Sequence, residues 1–156
     1  MAKPSLSAKV LTLLAGKRLA TAESLTGGGI GQAITAVSGA SAVFAGGVIS
    51  YTNEIKEKLL GVSCDSLEKH GAVSGEVAGE MVSGVRKLMY ADVAVSVTGL
   101  AGPDGDDFGH PVGTVYIGYE DDQRLLVRRF NFDGDRNSVR LQTIEAALSL
   151  ILQYNQ

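Results

Sequence analysis

The segment Thr21-Ala22-Glu23-Ser24-Leu25-Thr26-Gly27-Gly28-Gly29 sets a hydroxyl nucleophile beside three successive glycines. Glycines let the backbone approach a ligand closely. A helix starting behind them presents unpaired N–H groups suited to a phosphate or a developing oxyanion. The same residues fit a plainer arrangement, in which Ser24 caps its helix and the glycines permit tight packing, and local sequence alone favours that one. Neither a GxxxxGK[ST] phosphate loop nor a GxGxxG fingerprint can be read, which disfavours a nucleotide triphosphatase or a dinucleotide enzyme.

A nucleophilic serine needs a base within hydrogen-bond reach. The two histidines are poorly placed: His70 falls in a helix-to-helix loop before Gly71, and His110 precedes Pro111 in an acidic loop. Lysine can act as a base when desolvation or neighbouring cations lower its pKa. Lys56, just beyond Tyr51-Thr52-Asn53, could reach back to a neighbouring Ser24 turn, or could be an ordinary solvated helix lysine. Near the end of the chain, Gly134-Asp135-Arg136 precedes a helix with Arg140 one turn on. Two guanidinium groups could there converge on an anion such as a substrate phosphate; equally, Asp135 caps the helix and the arginines make surface or subunit contacts. Asp104, Asp106 and Asp107 match no EF-hand spacing and read as a solvated acidic loop.

The elements that must position these residues follow from periodicity and punctuation. A first helix opens at Ser5 or Ser7 and stops at Gly16. Arg18 to Glu23 reads as a strand, and Gly27 to Gly29 open a helix to about Val37, so Ser24 sits at a strand-to-helix turn. A strand at Phe44 to Tyr51 leads to a helix capped by Asn53, carrying Ile55, Lys56, Leu59 and Leu60 and ended by Gly61. Ser74 caps a longer helix with Val77, Met81, Val82, Val85 and Leu88 at helical spacing. Val93 to Thr98 is nearly all apolar, as a strand covered on both faces would be. Strands at Val112 to Tyr119 and Arg124 to Phe132 form an antiparallel pair around Glu120 to Gln123. A last helix runs from Asn137 to Leu152 with Val139, Ile144, Ala147, Leu148 and Ile151 inward. This pattern specifies one α/β domain over residues 1–156, a three-layer α/β/α sandwich with a mixed sheet of about five or six strands. Ser24, Tyr51 and Thr98 all fall where strands end, the usual place for ligands in open sheets.

The 156 residues, 45% hydrophobic and 20% charged, have the composition of a soluble globular chain. A net charge of −3 argues against nucleic-acid binding. The single cysteine, Cys64, excludes an intrachain disulfide and points to the reducing cytoplasm. Val10 to Ala15 is too short for a secretory signal core and is followed by Lys17-Arg18; no stretch is long enough to cross a membrane. The small glycine-rich domain points to a homo-oligomer.

Six ordered blocks resemble the C-terminal domain of the CinA family: Ala22-Glu23-Ser24-Leu25-Thr26-Gly27-Gly28, Gly46 to Lys56, His70 to Ser74, Thr98-Gly99-Leu100-Ala101-Gly102-Pro103, Pro111 to Tyr116, and Gly134-Asp135-Arg136. The resemblance runs from about Ser5 to Leu152. It implies a Ser/Lys amidohydrolase, without metal or cofactor, that converts nicotinamide mononucleotide to nicotinic acid mononucleotide and ammonia in pyridine-nucleotide recycling. Carried over by motif, Ser24 is the nucleophile, Lys56 its base and Tyr51 their catalytic neighbour. Thr26, Gly27, Gly28, Ser41, Asn53, Thr98, Arg136 and Arg140 match substrate-binding positions. Backbone N–H groups of Gly27 to Gly29 are the expected oxyanion donors. Two departures stand out: Leu25 where many relatives have cysteine, and His110 where many have lysine, which removes a fixed cation. Longer relatives carry an additional N-terminal domain whose activity does not transfer to this chain. The competing reading is a catalytically silent paralogue that keeps the pocket for a nucleotide or protein partner; intact Ser24, Tyr51 and Lys56 speak against it. A competence or DNA-repair accessory role rests on the family's name and is opposed by the acidic charge.

Overall fold

The computed structural model describes residues 2–156. Its elements are α1 (Leu6–Leu13), β1 (Leu19–Glu23), α2 (Gly29–Thr35), a 3₁₀ turn (Ala40–Ala42), β2 (Phe44–Ile49), α3 (Asn53–Leu60), α4 (Cys64–His70), α5 (Gly75–Leu88), β3 (Val93–Gly99), β4 (Thr114–Glu120), β5 (Leu125–Asn131) and α6 (Arg136–Tyr154). The strands form one mixed sheet in the order β2-β1-β3-β4-β5. β1 runs parallel to β2 and β3, while β3–β4 and β4–β5 are antiparallel.

Strand alternation divides the core in two. Leu19, Val93, Val95, Val97, Val115, Ile117 and Tyr119 face α1, α2 and α6. Ala20, Ala22, Val48 and Ala94 face the other way, onto Leu60 of α3, Leu67 of α4 and Val77, Met81, Val82 and Val85 of α5. The result is the expected three-layer sandwich, with five strands.

Local chemistry sets the boundaries, and several differ from expectation. Ser5 caps α1 by accepting from Ala8 N–H, and Asp135 caps α6 by accepting from Ser138 N–H. Thr52, not Asn53, caps α3: its hydroxyl accepts from Ile55 N–H, and Asn53 is the first helical residue. His70 ends a helix, α4, that periodicity could not reveal because its seven residues bury one apolar side chain, Leu67. β4 begins at Thr114 rather than Val112 because Pro111 to Thr114 is a turn, closed by Thr114 N–H to Pro111 O at 3.1 Å.

One contact fixes the helix that carries Lys56. A Cβ on Gly84 of α5 would lie 1.9 Å from the carbonyl oxygen of Leu60, so α5 passes the end of α3 in backbone contact. Gly84→Ala should push α3 outward and cost about 1–3 kcal/mol of stability. Urea denaturation would show this as a lower midpoint with unchanged slope, whereas an unchanged midpoint would mean that α3 shifts without cost.

Candidate active site

β1 ends where its parallel ladder has one bond left to make: Ser24 N–H donates to Val97 O at 3.1 Å, and beside it Ser50 N–H donates to Glu23 O at 2.8 Å. These bonds bring Ser24, Ser50 and the end of β3 to one end of the sheet. The Ser24 side chain is 8% exposed, in the wall of a cleft of about 320 Å³. Volumes of this order suit small-molecule ligands. Tyr51, Asn53 and Lys56 line the cleft from one side, Thr98 and Gly99 to Asp104 from another, and Arg136 from the start of α6.

Lys56 reaches Ser24 from α3. Its Nζ lies 3.0 Å from Ser24 Oγ and donates to Ser50 O at 2.7 Å. Lys56 is 1% exposed, and burial alone pulls its pKa from 10.5 to about 8. No carboxylate is paired with Lys56 among the described residues, and the buried Glu23 carboxylate beside Ser24 in sequence is engaged elsewhere: it accepts from Thr26 Oγ1 at 2.6 Å, Ile30 N–H at 2.8 Å and Gly31 N–H at 3.0 Å. As an ammonium, Lys56 donates to both Ser24 and Ser50. As an amine it can keep the Ser50 bond and accept the Ser24 hydroxyl proton, so the Ser50 carbonyl orients the lone pair toward the nucleophile.

Several expected site residues do other work. Ser24 does not cap α2; that position is Gly28, in the left-handed region at φ +100° and without a side-chain bond. Thr26, Gly27 and Gly28 do not line the cleft. Thr26 ties its hydroxyl to Glu23, while Gly27, at φ +60°, and Gly28 shape the turn. The expected oxyanion donors are largely occupied, because Gly27 N–H donates to Ser24 O at 3.1 Å and Gly29 N–H to Thr26 O at 3.0 Å. Arg140 also faces the turn rather than the cleft, donating to Leu25 O and Thr26 O at 3.0 and 3.2 Å. Ser41 lies in the 3₁₀ turn before β2, against Thr35 and Phe44. Because β1 and β2 are parallel, that is the opposite end of the sheet from Ser24.

The remaining assignments converge. Arg136 donates to Gly102 O at 2.7 Å and to Tyr51 OH at 3.1 Å, which leaves guanidinium N–H groups for an anion. Thr98, buried, donates to Ala72 O at 2.8 Å and holds that loop against the strand end. Neither histidine lines the cleft. His110 is held by Asp106, its Nδ1 2.7 Å from a carboxylate oxygen, so the ring is engaged within its own loop. Asp106 is accordingly not a freely solvated acid: it also accepts the N–H groups of Phe108 and His110, and these bonds hold its pKa below the usual value against the opposing effect of burial. Among the described residues, no group of three or more His, Cys, Asp or Glu side chains is arranged to hold a metal ion. Sequence reasoning missed three contributors: Glu23, the Ser50 carbonyl and Asp104. A signal existed for Glu23, an acid ending an apolar strand just before a glycine-rich helix start; a backbone carbonyl leaves none.

The fold and cleft define a three-layer α/β protein with a buried serine–lysine pair at the carboxyl ends of its parallel strands. The chain belongs to the CinA family, whose C-terminal domain matches residues 4–155. A putative competence-damage inducible protein of Thermoanaerobacter pseudethanolicus is 47% identical over 136 residues, covering 87% of this chain and 33% of the relative. A CinA-like protein of Thermotoga maritima is 46% identical over 138 residues, covering 88% and 34%. The chain thus spans about a third of the length of these curated relatives. Among solved structures, the competence damage-inducible protein A of Klebsiella pneumoniae superposes with a TM-score of 0.93 at 36% identity, covering 95% of this chain and 93% of that one. The competence/damage inducible protein of Agrobacterium tumefaciens gives 0.93 at 36% identity over 100% of both chains. Among the described residues, no helix is long and apolar enough to cross a membrane.

The lowered Lys56 pKa has a consequence for stability. Between about pH 8 and 10.5 the unfolded chain still holds a proton on Lys56 that the folded chain has released, so stability rises with pH across that window. Denaturation at several pH values should show the wild type gaining stability relative to Lys56→Met from pH 8 to 10. A constant difference between the two proteins would contradict a depressed Lys56 pKa.

Proposed function

We propose that the chain is an amidohydrolase that cleaves the carboxamide of nicotinamide mononucleotide, giving nicotinic acid mononucleotide and ammonia. The observation that carries this reading is the 3.0 Å contact between Ser24 Oγ and a desolvated Lys56 Nζ in the wall of an open cleft. A buried lysine without a carboxylate partner is costly for structure alone and well suited to a general base.

Neutral Lys56 takes the Ser24 proton as Oγ attacks the carboxamide carbon. The resulting ammonium then protonates the departing amine, and ammonia leaves an acyl-enzyme. Water, deprotonated by the same lysine, attacks the ester and releases the acid, restoring Ser24. A pKa of about 8 leaves about a tenth of Lys56 neutral at pH 7, and the cationic pyridinium of the bound substrate would raise that fraction by repulsion. Arg136 would hold the phosphate, with Tyr51, bonded to it, and Asn53 beside it in the cleft lining. The relatives' names assign no reaction; support for the nucleotide substrate is the motif resemblance together with this one available guanidinium.

Purified protein should release ammonia from nicotinamide mononucleotide, with chelators having no effect. Ser24→Ala should lower kcat by roughly 10⁴-fold or more, and Lys56→Ala by about 10²–10⁴-fold. Absence of release by the wild type would sink the reaction, and a fully active Ser24→Ala variant would sink the mechanism.

Because the base must be unprotonated, kcat/KM should climb about tenfold per pH unit below pH 8 and level off above it. A rate that fell between pH 6 and 8 would exclude Lys56 as the base.

A further inference from the structure

An acyl-transfer site needs hydrogen-bond donors where the oxyanion develops, and those donors must have no other partner. In the turn after Ser24, the N–H groups of Gly27, Gly29, Ile30 and Gly31 all donate within the protein. The N–H groups of Leu25, Thr26 and Gly28 donate to no protein acceptor among the described residues, and of these three Arg140 holds the carbonyl that shares a peptide unit with the Thr26 N–H. Leu25 lines the cleft.

Arg140 stands behind this turn, on α6, and does not line the cleft. Its Nε donates to Leu25 O at 3.0 Å and its Nη2 to Thr26 O at 3.2 Å. The Leu25–Thr26 peptide is trans, because the only cis bond in the described chain is Gly102–Pro103. A trans peptide points its C=O and N–H in opposite directions. The guanidinium that grips Leu25 O therefore turns the Thr26 N–H of the same peptide unit away from α6. A cation bonded to a carbonyl oxygen also polarises the amide and makes its N–H a stronger donor. From the other end, the Thr26 hydroxyl is bonded to buried Glu23, so the turn is fixed on both sides.

We propose that Arg140 is a positioning residue that orients and polarises the Leu25–Thr26 amide, so that its N–H, together with that of Leu25, receives the oxyanion formed when Ser24 attacks. The role rests on the serine-hydrolase reading of the cleft, and it replaces the substrate grip expected for Arg140.

The test uses an alkyl phosphonofluoridate, which needs an activated serine and an oxyanion site but no nicotinamide nucleotide. Ser24 Oγ bonds to phosphorus, the P–F bond breaks, fluoride leaves, and Lys56 takes the serine proton. Arg140→Met should slow Ser24 labelling by about 10- to 100-fold, without moving the pH at which the labelling rate levels off, since Lys56 is untouched. With nicotinamide mononucleotide the same variant should lose kcat by a similar factor while KM stays within about twofold. Arg140→Lys, which keeps the charge and one donor, should fall between the two, and it decides the matter if Arg140→Met does not fold. Labelling of either folded variant at the wild-type rate would overturn the proposal, as would a rise in KM with kcat unchanged. Absence of Ser24 labelling in the wild type would overturn it too. If the wild type is labelled at Ser24 but releases no ammonia, the amidase reading fails while the labelling rates still decide the role of Arg140.

Discussion

The site depends on one uncompensated burial, a lysine nitrogen removed from water with a serine hydroxyl and a backbone carbonyl as its partners. An ammonium in such a place is disfavoured, and the group responds by releasing its proton more readily. Everything around Lys56 maintains that condition. The Thr52 cap and the Gly84 contact hold α3 against α5, and Ser50 O fixes one N–H of the lysine. A carboxylate admitted to the same pocket would restore the ammonium and remove the base.

The charges near Ser24 divide by direction. Glu23 and Arg140 point into the protein and bind the turn, one through the Thr26 hydroxyl and two N–H groups of α2, the other through two carbonyls. Arg136 and Asp104 border the cleft. Motif matching treats all residues near a nucleophile as one set. The hydrogen bonds separate those that build the nucleophile's frame from those that a ligand can meet.

The layers of the fold were legible because its signals are local. The apolar run at Val93 to Thr98, the helical spacing of Val77 to Val85, and Gly61 after Leu60 each report their own element without reference to the rest. The strand-to-helix position of Ser24 was legible for the same reason. α4 was not, since one buried leucine in seven residues makes no period. Within the site, the Ser24–Lys56 pairing joins residues 32 apart, and neither residue's neighbours determine it; the motif resemblance suggested it, and the parallel packing of β1 and β2 brings it about. Ser41 and Arg140 show the converse. Their residue types suit a polar ligand, but strand direction carries Ser41 to the far end of the sheet, and α6 presents Arg140 to carbonyls rather than to the cleft.

Lys56 is neutral over a useful part of the physiological pH range. Its protonation can be read directly by nuclear magnetic resonance, following the ε-carbon of selectively ¹³C-labelled lysines as pH is raised, with Lys56→Met identifying the signal. One lysine should titrate with a midpoint near 8, well apart from the others. A Lys56 signal that titrates together with the surface lysines, at the ordinary value of about 10.4, would rule out a neutral Lys56 as the base.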